Sequence, residues 1–313
     1  MTPPDVSIVI VSHNSRAYVG ECLNRVAAAG RDVVVADNGS SDGTVEFVRD
    51  RYLNVRLLAF ADNIGFGRAS NEAVKSTSSP YVLLLNPDAW PAENDSIDRL
   101  ARYVERHSDI GIAGPKLVNP NGTLQRSING RPTALWRGKP AVPGVASPRR
   151  KRRLTKAGFY LRWIARSRGG GRMILTRQFL KGAVLLFRRE AFDAVGGFDT
   201  DFFLFAEDID ICERIRSAGW TIEYVPDPSF VHVGASSTEL DWTSAYREQL
   251  RSHLRLIAKR EGTLRAEMAR RFLVLALRTR AARRGSEGRP FTDTARWLAS
   301  SDLQTLFRGR DLH

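Results

Sequence analysis

The sequence predicts an α/β fold: a mixed, mainly parallel sheet flanked by helices, followed by a basic helical extension. Three observations predict it. The unbroken apolar runs VSIVIV (Val6–Val11) and YVLLL (Tyr81–Leu85) have the length of strands buried on both sheet faces. Segments of helical length separate such runs on short links, the pattern of parallel strands joined by crossover helices. From Ser244 to Arg280 the pattern turns wholly helical. Leu250, Leu254 and Ile257 form one stripe there, Leu264, Met268, Phe272 and Leu275 another, and arginine fills the other faces.

The stretch YVLLLNPD organises the chain. Pro87 cannot donate to a sheet ladder, so the strand ends at Asn86-Pro87-Asp88. That holds Asp88 at the carboxyl end of a central strand, the edge where open α/β sheets bind ligands. A carboxylate there is a hard oxygen ligand, suited to Mg²⁺ or Mn²⁺ carrying phosphates. The same tripeptide also reads as a turn and helix start.

The other elements follow in order. After Val11 comes the turn Ser12-His13-Asn14-Ser15, then a helix from Tyr18 to Ala29 stopped by Gly30. Val33–Ala36 is a strand ending at Asp37, and Asn38–Gly43 is a dense turn. Asp37 at this edge is placed to accept from a pyrimidine ring N–H, and Asp-Asn-Gly-Ser equally favours an Asx turn. A helix runs from Thr44 to about Arg51, a strand covers Val55–Ala59, and Asn63-Ile64-Gly65-Phe66-Gly67 is a second glycine loop. Helices over Arg68–Lys75 and Ser96–Arg106 and a strand over Gly111–Val118 complete this half.

From Arg131 to Arg177 the pattern dissolves into Pro, Gly and Arg, with aromatics at Phe159, Tyr160 and Trp163, and reads as a mobile basic insertion. A strand at Ala183–Phe187 and a short helix at Arg189–Val195 restore order. Then Asp199, Glu207, Asp208 and Asp210 fall among Phe202, Phe203 and Phe205. A helix opens at Glu207 with its acids at the N-terminus, where the dipole favours them. Asp208 and Asp210 cannot share a helical face, so one is expected in a site and the other as a cap or as partner of Arg214. Trp220–Val225 is a strand ended by Pro226-Asp227-Pro228, and His232 lies at a further strand end beside Gly234 and Ser236-Ser237, as ligand or as core histidine.

Composition narrows the class. The net charge of +14 is concentrated: Arg149–Arg172 holds ten Lys/Arg and no acid, and Arg247–Arg284 holds twelve against three acids. The positive charge therefore belongs to two segments rather than to the core, and suits a polyanionic surface such as anionic lipid. Cys22 and Cys212 offer neither a disulfide framework nor metal-site spacing, so a reducing cytosol is expected. No signal peptide or membrane-spanning run is read. A nicotinamide-type Gly-x-Gly-x-x-Gly does not follow the first strand, and no Gly-Lys-Ser/Thr phosphate loop is present.

VVVADNGSSDGT, DNIGFGRASN, LLLNPDA, GGFDTDFFLFAEDIDICERI and VHVGASS occur here in one order. This series resembles the family 2 glycosyltransferases, most closely their bacterial rhamnosyltransferase-like branch, over about residues 5–238. The resemblance implies a GT-A fold at 1–240 carrying the insertion, with 241–313 as the basic helical extension. It implies a nucleotide-sugar donor (dTDP- or UDP-linked, with rhamnose a candidate sugar), a divalent Mg or Mn ion and inversion at the anomeric carbon. It also implies a glycan acceptor on a polyprenyl diphosphate, reached from the inner face of the cell membrane. Carried over by position, Asp208 is the catalytic base. Ser12, Asn14, Asp37, Asn63, Gly65, Asn86 and Asp88 bind the nucleotide-sugar, Gly182, Phe203 and Glu207 the acceptor, and Asp88 with His232 the metal. The chain departs from the family's Asp-x-Asp at Asn86, which puts the weight of metal binding on Asp88.

These residue types fit the chemistry. A carboxylate takes the acceptor's proton as it attacks, and a cation offsets the charge gained by the departing diphosphate. A glycosidase would need two flanking carboxylates but neither Asp37 nor the glycine loops. The rival classes are a nucleic-acid-binding protein and a catalytically inactive transferase fold acting as a membrane-binding scaffold. Charge lying outside the motif-bearing core and the lack of a reader motif count against nucleic acid as partner. Homo-oligomerisation is left open.

Overall fold

A computed structural model describes residues 3–27, 30–130, 172–234 and 242–308. Most of the expected insertion, with its aromatic cluster, lies outside these residues, as do Ser236 and Ser237. The strands are β1 (Val6–Ser12), β2 (Val33–Asn38), β3 (Arg56–Phe60), β4 (Tyr81–Leu85), β5 (Ala89–Pro91), β6 (Ile110–Val118), β7 (Leu124–Gln125), β8 (Ile128–Asn129), β9 (Phe179–Leu180), β10 (Val184–Arg188) and β11 (Thr221–His232). The helices of the sheet-bearing part are α1 (Val19–Val26), α2 (Thr44–Arg51), α3 (Phe66–Lys75), α4 (Ser96–Arg106), α5 (Arg189–Ala194) and α6 (Glu207–Ser217).

The main sheet has the order β3-β2-β1-β4-β10-β6-β11-β5, with β7 on β6. β1 lies parallel to both β2 and β4. The chain thus moves outward from β1 to β3, then returns to β1's other side, and a crevice opens at the carboxyl ends where direction reverses. β10 runs antiparallel to β4 and β6, making the sheet mixed. Period-two alternation divides each apolar run between two cores. Ile8, Ile10, Val35, Leu83 and Leu85 pack on one face with α1 and α4. Val9, Val11, Val34, Val82 and Leu84 pack on the other with α3, α5 and α6. Cys22 and Cys212 are buried and free, one in each core.

Two elements differ from expectation. β11 runs past Pro226-Asp227-Pro228 as far as His232, because a register shift between Val225 and Ser229 carries the prolines outside the ladder with β6. The end of the expected insertion is ordered: Leu175 donates its N–H to Ile222 O at 2.7 Å, and Met173 and Leu175 join the core.

The C-terminal helices α7 (Trp242–Glu261), α8 (Thr263–Ala282), α9 (Arg289–Ser300) and α10 (Leu303–Arg308) enclose a core of their own around Leu250, Leu254, Leu277, Phe291 and Leu298. Leu256 of α7 packs instead into the sheet's core. Ion pairs fasten α7 to the segment around α6: Lys259 reaches Asp199 at 2.6 Å and Asp210 at 2.7 Å, Arg255 reaches Asp201 at 2.9 Å, and Arg260 pairs with Glu213. Much of α7's positive charge is therefore engaged within the molecule.

Candidate active site

Four loops meet at the carboxyl edge. The first two follow β1 and β2. Register sets Ser12 beside Asp37, and the Ser12 hydroxyl donates to Asp37 Oδ2 at 2.9 Å. Ser40 N–H donates to Asp37 Oδ1 at 2.9 Å and its hydroxyl to Oδ2 at 2.6 Å. The Asx turn is thus formed and Asp37 is fully buried within it. Asn14, at φ 48°, accepts Ser41 N–H at 2.9 Å and ties the first loop to the second.

The third loop, after β3, is held by amides. Asn38 donates its side-chain N–H to Asn63 Oδ1 at 2.8 Å and accepts Ile64 N–H at 2.8 Å. Gly65 has φ +90°, and a Cβ there would lie 2.8 Å from Phe203 O, so only glycine fits. Phe66 N–H donates to that same carbonyl at 2.9 Å. Phe203, expected at the acceptor, therefore stands against the second glycine loop.

The fourth loop follows β4. Asp88 is fully buried beside the end of β11. Gly234 N–H donates to its Oδ2 at 2.9 Å, and His232 Nε2 lies 3.5 Å from its Oδ1. Gln125, on β7, fixes the imidazole. Its Nε2 donates to Asn119 Oδ1 and His232 O, both at 3.0 Å, so its Oε1 accepts from His232 Nδ1–H at 2.6 Å. The Nε2 lone pair then faces Asp88, the tautomer a metal ligand needs. Burial holds this imidazole neutral, its pKa well below the ordinary range despite the nearby Asp88 carboxylate. A carboxylate and an oriented imidazole suit a divalent cation that takes its remaining ligands from phosphates. No group of three or more His, Cys, Asp or Glu converges on one point among the described residues.

α6 begins with Glu207 and Asp208. The two residues before it, Phe205 and Ala206, have φ 68° and 66°. With Asn14 they are the positive-φ non-glycine residues of the described chain, and all three sit in site loops. Such strain, about 1–3 kcal/mol per residue, persists where surroundings enforce it and clusters at functional sites. Asp208 Oδ2 accepts Gly182 N–H at 3.3 Å and Oδ1 accepts Ile209 N–H at 2.8 Å. Glu207 Oε2 is buried with no hydrogen-bond partner among the described residues. Burial pushes both carboxyls up. Glu207 goes further, because the Asp208 charge and Glu248 of α7 add to its burial, while backbone N–H groups and Lys181 oppose the rise at Asp208. Within the pair, the surroundings favour the proton on Glu207 more strongly than on Asp208. Asp210 turns away, pairing with Arg214 at 2.6 Å and with Lys259.

Lys181 and Gln125 are the residues that sequence reasoning missed. Lys181 sits between β9 and β10, half-buried, with its ammonium in the fields of both Asp88 and Asp208. Burial lowers its pKa, and no carboxylate lies within ion-pair distance among the described residues. A lysine beside a Gly-Ala strand start carried the only available signal, and it is a weak one.

The glycosyltransferase-like family 2 model matches residues 3–254, most of the chain. The chain belongs to the family 2 glycosyltransferases. Family membership makes it a nucleotide-sugar-dependent glycosyltransferase, and sequence relatives lie in the rhamnosyltransferase branch. The N-acetylglucosaminyl-diphospho-decaprenol L-rhamnosyltransferase of Mycobacterium tuberculosis is 32% identical over 256 residues, 75% of this chain and 78% of the relative. Rhamnosyltransferase WbbL of Escherichia coli is 24% identical over 82% of this chain and 93% of the relative. Two solved structures share the fold at low identity. Mannosyltransferase PcManGT of Pyrobaculum calidifontis, in complex with GDP-Man and Mn²⁺, aligns with a TM-score of 0.56 at 16% identity, covering 98% of this chain and 86% of that one. TarS 1–349 of Staphylococcus aureus with UDP-GlcNAc aligns at 0.51 and 18% identity, covering 93% and 79%.

Proposed function

We propose that this family 2 enzyme transfers a deoxyhexose, rhamnose, from a dTDP- or UDP-type donor onto a hydroxyl of a polyprenyl-diphosphate-linked glycan, with inversion at the anomeric carbon. The observation that carries the reading is a pair of unlike sites on either side of one lysine: Asp88 with His232, and Asp208 beside Gly182, with Lys181 in the field of both carboxylates. The sugar and acceptor follow the activity in the name of the mycobacterial relative, an N-acetylglucosaminyl-diphospho-decaprenol L-rhamnosyltransferase.

Asp37 and Asn14, with Ser12 and Ser40 bracing the carboxylate, shape the cradle for the base. Asn63 and Gly65 let the backbone approach the nucleoside closely. Asp88 and His232 would hold a divalent ion, which when bound offsets charge on the departing diphosphate. Lys181 adds a fixed positive charge where that leaving group develops its negative charge. Asp208 accepts the proton of the attacking hydroxyl, its raised basicity suiting proton transfer near neutral pH. Glu207, holding its proton, donates to an acceptor oxygen rather than competing for the proton. The residues from 1 to about 240 are read as the transferase unit and 241–313 as its helical extension.

Calorimetric titration with dTDP, UDP, GDP and ADP, each with and without Mn²⁺ or Mg²⁺, tests the reading. Metal-assisted binding of dTDP or UDP, weakened at least about tenfold in Asp88→Ala, is expected. Equal binding of all four nucleotides, or none of any, would remove the donor assignment.

A further inference from the structure

Helix α8 is apolar on two opposite faces. Leu273, Val274 and Leu277 face the small core shared with α7 and α9. Leu264, Met268, Phe272 and Leu275 point away from it and are 48–75% exposed. At about 100° per residue these four lie within roughly 80° of the circumference, a continuous outward stripe along nearly the whole helix. These four therefore do not pack against the core. A groove of about 430 Å³ opens beside it, lined in part by Tyr246, Phe272, Leu275, Ala276, Arg280 and Arg283.

Charge brackets the stripe. Arg271 and Arg278 flank one side and Arg265 and Arg283 the other, all exposed. Glu267 is the one acid of α8, and Arg270 and Arg271 already engage it at 2.7 and 2.8 Å. Arg278 and Arg283 have no ion-pair partner among the described residues. Contiguous exposed apolar surface rimmed by polar groups marks an interaction site. Its occupant must offer both apolar matter and negative charge. A nucleic acid offers charge without an apolar layer. A second copy would bring the same arginines of a chain carrying +14 against themselves. A bilayer containing anionic lipid offers both, with headgroups for the arginines and acyl chains for the stripe.

We infer that the outer face of α8 is a membrane-docking surface: Leu264, Met268, Phe272 and Leu275 enter the interface of an anionic bilayer, and Arg278 and Arg283 bind lipid phosphates. This rests on the reading of the acceptor as lipid-linked, for which it supplies the approach to the membrane. α8 lies flat on the bilayer and does not cross it; no helix among the described residues is long and apolar enough to span.

The full chain is mixed with vesicles of phosphatidylcholine alone or with 30% phosphatidylglycerol, floated on a density gradient, and the bound fraction measured at low and high salt. Flotation with the anionic vesicles, reduced about tenfold or more in Phe272→Ser/Leu275→Ser and made shallower in salt dependence by Arg278→Ser/Arg283→Ser, is expected. Undiminished flotation of both double variants would overturn the surface. So would a dimer in solution that Phe272→Ser/Leu275→Ser dissolves while the native chain ignores vesicles. Nucleotide binding measured on the same samples separates the two proposals. Binding of dTDP without flotation defeats the docking face alone; flotation without any nucleotide binding defeats the donor reading alone. Unchanged circular dichroism and Tm in the variants show that the fold survives.

Discussion

Glu223, on β11, and the Glu207–Asp208 pair, at the first turn of α6, are acids set into the same body, and their surroundings are opposite. Glu223 is fully buried and saturated: Arg172 Nε donates to it at 2.7 Å and Tyr103 OH at 3.0 Å, while Arg172 also pairs with Asp109 at 2.8 Å. Burial beside this carboxylate pushes the Tyr103 hydroxyl up to about 12, so it stays a donor. Glu207 and Asp208 lie next to one another behind a strained turn, and one Glu207 oxygen has no partner among the described residues. A buried acid given its own arginine holds structure. A pair of acids crowded together, with half-buried Lys181 nearby and no ion-pair partner among the described residues, is kept out of its ordinary protonation range and suits proton transfer.

Removing the cation from the saturated site should have the largest effect on stability. Arg172→Ala leaves Glu223 buried without its guanidinium and is expected to lose roughly 3–5 kcal/mol in urea unfolding, while turnover per folded molecule holds. A loss below about 1 kcal/mol would show that the network matters little.

At the opposite site, Lys181→Met tests whether this cation faces the leaving group. Affinity for a nucleoside diphosphate should fall about ten- to hundredfold, the size of one charge-assisted hydrogen bond, with affinity for the monophosphate little changed. Equal losses for both nucleotides would place Lys181 in the structure of the loop instead.

The smallest effect is a pH linkage. Glu207 in the folded protein holds its proton more tightly than the ordinary value of 4.5 found in the unfolded chain. Folding therefore binds protons, and the penalty grows as pH rises above that unfolded value. Glu207→Gln removes the penalty. Its melting temperature should match the native protein near pH 4.5 and exceed it progressively toward pH 8, by the equivalent of about 1 kcal/mol or more. A difference independent of pH would mean that Glu207 is not held protonated.

Much of this site was legible in the residues alone, because element ends position it. Asp37 and Asp88 terminate apolar runs and Asp208 opens a helix, so the fold class and the edge carrying these acids followed from pattern. His232 came into reach through the ordered series of motifs. What was hidden depends on three-dimensional approach. Gln125 and Lys181 sit on or beside two-residue strands too short for any periodicity; Gln125 meets His232 across 107 residues of chain, and Lys181 lies in the fields of the sequence-distant Asp88 and Asp208. The left-handed turn at Phe205-Ala206 is imposed by packing and leaves no mark on residue choice. β11 passes its prolines through a register shift, which local propensity reads as an end. The stripe on α8 was visible, but two apolar faces on one helix do not say which is covered. Only the packing of Leu273, Val274 and Leu277 shows that the other face is bare.

One variant tests the central assignment most directly. Asp208→Asn keeps the size and, through its single side-chain oxygen, one of the two hydrogen bonds from Gly182 and Ile209, but it cannot accept a proton. Sugar transfer to a polyprenyl-diphosphate-linked acceptor and binding of dTDP are measured on the same preparation, beside Glu207→Gln. The account predicts that transfer by Asp208→Asn falls about 10²- to 10⁴-fold with nucleotide binding retained, while Glu207→Gln stays within a fewfold of the native rate. Transfer by Asp208→Asn at the native rate, or a collapse in Glu207→Gln with Asp208→Asn spared, would contradict it.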